Sequence, residues 1–453
     1  MIKLIFFDRT KEEGENSMKK IISVLLVCVM LLSTLAISAF AMTATSEWRA
    51  TYSERTKTSG KMLVTPGKDE TVLNFTWFSS SIKETFSYAP SSDEKSIKTV
   101  TVTGIGTGSG MKHVLTLDSL KAGSYIYSYT ADGKTYDGKS FTVNDTAGDY
   151  SVMYCTDPQL GRSGKKNSDT SIANDAYGWE KTVVEAVGKG AGLIVSGGDQ
   201  INEGLSQKQM NVLLSVDKLD SVPFVGAVGN HDFYSALYPR YFSSIGEIGS
   251  GNDRYFMHGD ALFIIIDATI LNNPAHEATI KTAVEKYPNA KWRIAVLHMS
   301  AYTIDEGEWS NTLFGKSLTP LFDKYQFDLV LSGHDHAYAR TPATKDGKAA
   351  SDGTVYLQAG SASGGKCGHF SAEGKSYIEF AYDVPSGDAS YSMLYFSGDK
   401  LTVKSFITGN ETPFDVFTLS ARSERSASTS FAFFANIIQI FIKLINRFAN
   451  LFA

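Results

Sequence analysis

Five short polar clusters in this chain share one pattern: each closes a run of apolar residues. Asp157 follows YSVMYCT and Asp199 follows LIVSGG. Asn230-His231-Asp232 follow PFVGAVG, His298 follows RIAVL, and His334-Asp335-His336 follow FDLVLSG. Carboxylate, carboxamide and imidazole are the side chains that ligate borderline or hard divalent and trivalent metals. Alone, any one of them is ordinarily a solvated or hydrogen-bonded structural group. Together at the ends of buried strands, they would repel one another or go unsatisfied unless a cation united them. The chemistry implied is a metal centre, at the edge where open α/β sheets place their sites.

The elements that must hold these residues are legible from Tyr150 onward. Short apolar strands (YSVMYCTD, GLIVSGGD, PFVGAVGNHD, ALFIIIDAT, KWRIAVLHMS, FDLVLSGHDH, TVYLQAGS) alternate with helices expected at 173–189, at QKQMNVLLSVDKL and ending near Tyr325. The pattern predicts an α/β domain over 148–420 with buried sheets, closed by the hairpin SYSMLYFSGDKLTVKSF. From Trp48 to about Asn144 the reading is β throughout, with Gly and Asp-Gly turns. It predicts an all-β sandwich over 46–145, with Val72, Phe75 and Trp77 of TVLNFTWF turned inward. No catalytic cluster falls in that segment. No repeat of 20 to 50 residues is present.

With 453 residues the chain is long enough for two sizeable cores. A formal charge of −5 and the lack of a long Lys/Arg run argue against a nucleic-acid scaffold as partner. From Met18 the chain reads MKKIISVLLVCVMLLSTLAISAFA: two lysines, an apolar stretch, then Ala39-Phe40-Ala41. That is the pattern of an export signal over 18–41 that is cleaved, although the apolar run is long enough for an anchor. Residues 1–17 have no export logic. Glu13-Gly14-Glu15 can be encoded GAA-GGA-GAA, which contains a purine-rich ribosome-binding sequence, so synthesis is expected to start at Met18 in a bacterial, secreted protein. Beyond the signal only Cys155 and Cys367 remain, compatible with one disulfide or two free thiols. A small polar linker is expected at 423–430. After it, residues 431–453 read as an amphipathic helix with Asn436, Gln439, Lys443, Asn446, Arg447 and Asn450 in one arc. Such a helix suits a membrane surface or a partner, or packs back on its own domain.

The order D-x-Q, G-D-x-x-N, G-N-H-D, H, G-H-x-H resembles the calcineurin-like metallophosphoesterase superfamily. Within it the chain is most similar to the purple acid phosphatases, whose larger members carry a fibronectin type III-like domain before the catalytic one. GHDHAYAR, 333–340, is close to that family's G-H-x-H-A-Y-x-R. The stretch from Leu120 to Tyr127 resembles the corner of a fibronectin III-like sandwich. The resemblance spans roughly 46–420 and implies two mixed β-sheets sandwiched by helices. It implies two metal ions (Fe, Mn or Zn) bridged by Asp199, one taking Asp157 and His336, the other Asn230, His298 and His334. His231 would stand beside them unbound, able to touch the phosphate or protonate a leaving oxygen. The activity implied is hydrolysis of a phosphate ester by a hydroxide formed at the metals.

Two departures stand out. The purple enzymes carry a tyrosine three residues after the bridging aspartate, and its phenolate gives their colour with iron(III); here that position is Asn202. Gln159 stands where other members of the superfamily have His and purple ones Gly. Asn202 and Gln159 are therefore candidates for a vacant coordination position or for hydrogen bonds to the ligands. The plant-type histidine pair before E-G-E is also missing from TIDEGE, 303–308. Arg340 and Tyr338 are candidates for substrate contact, with a structural ion pair the alternative for Arg340. The expected function is a secreted phosphomonoesterase. The alternatives are a phosphodiesterase or nucleotide hydrolase on the same metals, and a surface binding module with a degenerate site.

Overall fold

The computed structural model describes residues 42–423 except 59, 109, 305–312, 314 and 369–370. The expected leader over 18–41, residues 1–17, the linker after Ser423 and the amphipathic helix over 431–453 lie outside the described residues. No helix among those described is long and apolar enough to cross a membrane.

The stretch TVLNFTWF lacks clean alternation because its strand, Leu73–Ser79, is buried on both faces. Leu73, Phe75 and Trp77 enter one core with Met62, Val64, Phe86 and Phe141. Phe78, of opposite parity, joins a second core with Leu63 and the α/β domain, while Asn74 donates to Ser244 O at 2.7 Å. Val72 precedes the strand and has the wrong parity for the first core; Leu73 takes the inward place expected of it. Around this strand two four-stranded antiparallel sheets face each other over the first core. The Tyr125 hydroxyl donates to Lys121 O at 3.0 Å and accepts from Lys121 N–H at 3.1 Å, the hydrogen bonding of a tyrosine corner.

The chain before the sandwich is not β. Ser46–Ala50 and Tyr52–Arg55 are short helices, the first capped by Thr45. They pack on the α/β domain: Trp48 Nε1 donates to Glu180 at 2.8 Å, and Arg55 pairs with the same carboxylate at 2.7 Å. Glu180 belongs to a helix, Asp169–Gly188, that starts four residues before its expected bound because Ser168 accepts from Ser171 N–H.

The α/β domain is two mixed sheets. One has six strands, in spatial order Phe224–Gly226, Ile194–Ser196, Tyr150–Cys155, Ser390–Ser397, Lys400–Ile407 and Asp415–Ser420; its first three are parallel. The other has eight, with Ala261–Ile265, Trp292–Val296, Leu329–Ser332 and Val355–Gln358 parallel at its centre. One apolar core joins residues of both, from Val152 and Val195 to Val296 and Leu331. The expected helix over QKQMNVLLSVDKL divides into Gln207–Leu213 and a 3-10 turn at Asp217–Asp220. Ser215 lies in the gap, its hydroxyl donating back to Val212 O at 2.7 Å. A helix at Asn273–Lys286, absent from the sequence reading, carries its signal in NNP: Asn272 caps it and Pro274 sits in its first turn. Among the described residues Cys155 and Cys367 are both free, and Cys155 is fully buried.

Candidate metal centre

The three parallel strands of the six-stranded sheet and two of those in the eight-stranded sheet each lead to one motif. Tyr150–Cys155 leads to Asp157, Ile194–Ser196 to Asp199, and Phe224–Gly226 to Asn230 and His231. Trp292–Val296 of the other sheet leads to His298, and Leu329–Ser332 to His334 and His336. Asp157, Asp199, His298 and His336 are buried; Asn230, His231 and His334 are half-buried.

The turns that carry them are tight. Asp157, Gln159, Asp199, His334 and His336 all hold left-handed backbone, with φ between 37° and 74°. Two motif glycines are needed for close approach. A Cβ on Gly229 would stand 2.1 Å from Asp199 Oδ1, and one on Gly333 would stand 2.5 Å from Asp157 Oδ2. Carboxylates outside the cluster brace these turns. Asp232 accepts from the N–H groups of Gln200 and Gly229, and Asp335 from Thr303, Ile304 N–H and Gln358.

The expected ligands fall into two groups. His298 Nε2 lies 3.0 Å from Asn230 Oδ1, and His334 Nδ1 lies 2.8 Å from Asn230 Oδ1 and 3.2 Å from His298 Nε2. His336 Nε2 lies 3.4 Å from Asp157 Oδ1. Asp199 Oδ2 is 3.4 Å from His298 Nε2, and ligand atoms of Asp157, Asp199 and His298 all lie within 4.8 Å of one another. Ligands about 2.1 Å from a cation and at right angles stand about 3 Å apart, so these separations suit metal coordination. His298 Nδ1 faces Gly197 O at 3.0 Å, which fixes the proton there and leaves Nε2 for the cluster. Asp157 Oδ1 and Gln159 Oε1 are buried with no hydrogen-bond partner.

The electrostatics agree. Burial works against a charge on His298, yet Asp199 and Asp157 overcome it and push the ring up to about 10. Burial likewise opposes ionisation of Asp199, but His298 and His231 hold it below the usual carboxylate range. Burial raises Asp157. His336 is pushed far down by burial first and then by the charge of Lys366, so it stands as a neutral ligand. Two carboxylates and three imidazoles so placed demand positive charge, and the residues present fit a metal centre.

His231 is beside the group. Its N–H donates to Asp199 Oδ1 at 2.8 Å, its Nδ1 faces Asn202 O at 2.6 Å, and Nε2 lies 4.0 Å from Asp199 Oδ2. Asn202 meets the cluster only through that carbonyl. Its carboxamide nitrogen donates to Asn167 Oδ1 at 2.8 Å. Gln159 is buried against the centre, Nε2 3.4 Å from Asp199 Oδ2. Tyr338 and Arg340, the candidates for substrate contact, are engaged with carboxylates. The Tyr338 hydroxyl donates to Asp415 at 2.8 Å, and Arg340 pairs with Asp415 at 2.7 Å and with Glu379. A buried phenol and a guanidinium between two carboxylates are structural.

One loop beside these turns escaped the sequence reading, Ser361–Gly368 after the strand Val355–Gln358. Ser361 Oγ donates to Asp157 O at 2.8 Å, Ala362 N–H to Thr156 O at 2.9 Å, and Gly368 N–H to His336 O at 3.0 Å. The available signal was the same pattern, GSASGGKCG after an apolar run, but without a ligand residue to mark it.

Fold and cluster together define a metallophosphoesterase-type α/β domain. Residues 151–338 match the calcineurin-like phosphoesterase family. The fold resembles that of purple acid phosphatase PPD1 from yellow lupin (Lupinus luteus) seeds, with TM-score 0.60, 16% identity, and 81% of this chain and 77% of that one covered. It also resembles PhoD, with TM-score 0.59, 11% identity, and 80% and 88% covered. At these identities the likeness is one of fold. No curated protein matches the chain by sequence.

Proposed function

We propose that the chain is a secreted phosphomonoesterase working with two metal ions. The observation that carries this reading is the buried pair Asp157 and Asp199, with Asn230, His298 and His334 gathered on one side and His336 on the other. Asp199 would bridge the ions; Asp157 and His336 would hold one, and Asn230, His298 and His334 the other. Ions bound there would neutralise phosphate oxygens and acidify a water molecule.

The chain's own residues supply the rest. Asn202 O anchors His231 through Nδ1, so Nε2 is the nitrogen turned toward the cluster, suited to pass a proton to the leaving oxygen. Gln159 closes the buried side of Asp199. Asp232 and Asp335 keep the ligand turns from relaxing. The sandwich, with its tyrosine corner, is read as fibronectin III-like. The leader over 18–41 supports export, and the tail over 431–453 supports contact with a membrane surface or partner.

The test is turnover of p-nitrophenyl phosphate and of its bis ester, with manganese, zinc or iron. The reading expects hydrolysis of the monoester in preference to the diester, and loss of both turnover and metal in Asp199→Asn. Preference for the bis ester would move the reading to a phosphodiesterase; absence of turnover with every metal would move it to a binding module. Deleting residues 431–453 should leave turnover intact and release the protein from membranes; unchanged partitioning would return that segment to its own domain.

A further inference from the structure

The turn after Asp157 is held from outside itself. Beyond the ligand the chain passes through left-handed backbone at Gln159 and Gly161, with φ of 37° and 98°. Three successive N–H groups then converge, those of Gly161, Arg162 and Ser163. All three donate to one atom, Asp175 Oδ2, at 2.9, 2.8 and 3.2 Å. Successive amides gathered in this way form a concavity for an anion. Here the chain supplies the anion from within: Asp175 is 2% exposed and belongs to the helix Asp169–Gly188.

The same face of that helix meets a second segment of the centre. Asp175 and Gly178, three residues apart and so neighbours on the helix surface, both face the Ser361–Gly368 loop. A Cβ on Gly365 would stand 3.0 Å from Asp175 Oδ1, and one on Gly178 would stand 2.2 Å from Ser363 O. The loop is bonded in turn to the ligand turns. Ser361 Oγ donates to Asp157 O at 2.8 Å, and Gly368 N–H donates to His336 O at 3.0 Å. Asp175 therefore touches both segments that stand behind Asp157 and His336. Among the described residues it makes no hydrogen bond to Asn230, His298 or His334.

We propose that Asp175 is a positioning residue for the metal ion at Asp157 and His336, and that it sets the affinity of that ion separately from the ion at Asn230, His298 and His334. This rests on the two-ion reading and adds a residue that offers no ligand atom to either ion. Without the carboxylate, three N–H groups lose their common acceptor, and the turn is free to drift from the loop. Partners that stand one step behind the ligands govern metal affinity by about 10–100-fold.

Zinc, titrated by calorimetry into the protein after chelation, tests this apart from turnover. Asp175→Ala should weaken one of two ions about 10–100-fold and leave the other within about twofold. Asp175→Asn keeps one acceptor oxygen and should weaken the same ion only about threefold. His336→Ala assigns the ion, because it should give up the one at Asp157 and His336. Adding Asp175→Ala to that variant should leave the affinity of the remaining ion unchanged. Equal weakening of both ions, or weakening of the remaining ion in the His336→Ala protein, overturns the proposal and makes Asp175 a brace of the whole domain. Wild-type affinity for both ions in Asp175→Ala overturns it too. Should Asp175→Ala not fold, Asp175→Asn decides: a wild-type profile, or equal loss at both ions, overturns the proposal. A wild-type protein that takes up a single ion sinks the two-ion reading instead. Weakening of that ion by Asp175→Ala, with rescue by Asp175→Asn, then supports the positioning role, and unchanged affinity overturns it.

Discussion

Gly229→Ala is the sharpest single perturbation of the centre. The new Cβ would meet Asp199 Oδ1 at 2.1 Å, Asp199 N at 2.3 Å and Asp199 Cγ at 2.8 Å. Ordinary carbon contacts begin about 3.5 Å apart, so the two turns must part by roughly 1 Å. The neighbours cannot yield cheaply: Asp199 is buried, and the Gly229 turn is tied to Asp232, which also holds Gln200. Overpacking of this kind costs about 1–3 kcal/mol of stability. A shift of about 1 Å in a ligand also costs turnover about 100-fold. The control is Gly188→Ala at the end of the Asp169–Gly188 helix, where a Cβ meets nothing within 4 Å. That variant should gain about 0.5 kcal/mol and keep its metal. Metal content by elemental analysis, the thermal midpoint and p-nitrophenyl phosphate turnover should be measured on both. A folded Gly229→Ala protein with full metal and turnover within about threefold of wild type would refute the argument.

Arg340→Ala removes a guanidinium from the buried Asp415 carboxylate. It should cost about 2–4 kcal/mol in urea denaturation while turnover per folded molecule stays unchanged; a raised KM would restore Arg340 to the substrate. His298, raised to about 10, must surrender a proton when a cation takes Nε2. Metal uptake between pH 7 and 9 should therefore release protons, measurable by calorimetry in buffers of different ionisation enthalpy, and affinity should weaken as pH falls. Uptake with no proton release would contradict the electrostatics. Protein loaded with iron(III) should lack the intense visible band of a bound phenolate. Asn202 is turned to Asn167, and the Tyr154 hydroxyl is committed to Ser332 O at 2.6 Å. A purple preparation would show that another tyrosine reaches the metal.

The centre was legible because its signal is local. A ligand just past a buried strand is written within eight or ten consecutive residues, and parallel strands bring such ends together whatever lies between them. Asn230 and His298, 68 positions apart, meet at 3.0 Å for that reason. Side-chain direction was not legible. Asn202 has the right spacing from Asp199, but its carboxamide is taken by Asn167, 35 positions away. Arg340 and Tyr338 carry the motif of a substrate site, yet their partner Asp415 lies on a strand of the other sheet. Alternation failed at Leu73–Ser79 because the face expected to meet water meets a second domain. The helices at 46–55 owe their place to Glu180, 125 or more positions on.

The left-handed backbone at Asp157, Gln159, Asp199, His334 and His336 bears on how this protein can change. Aspartate and histidine tolerate that conformation better than most residues, but each position still costs about 1 kcal/mol or more against glycine. Five such positions are a sizeable share of the ~5–15 kcal/mol that holds an ordinary domain together. Selection for heat resistance alone would replace them with glycine and leave a sturdier, inert relative. Efforts to harden the protein should therefore begin at sites such as Gly188 and leave these turns alone. A natural homologue with glycines in their place should be screened for binding rather than hydrolysis.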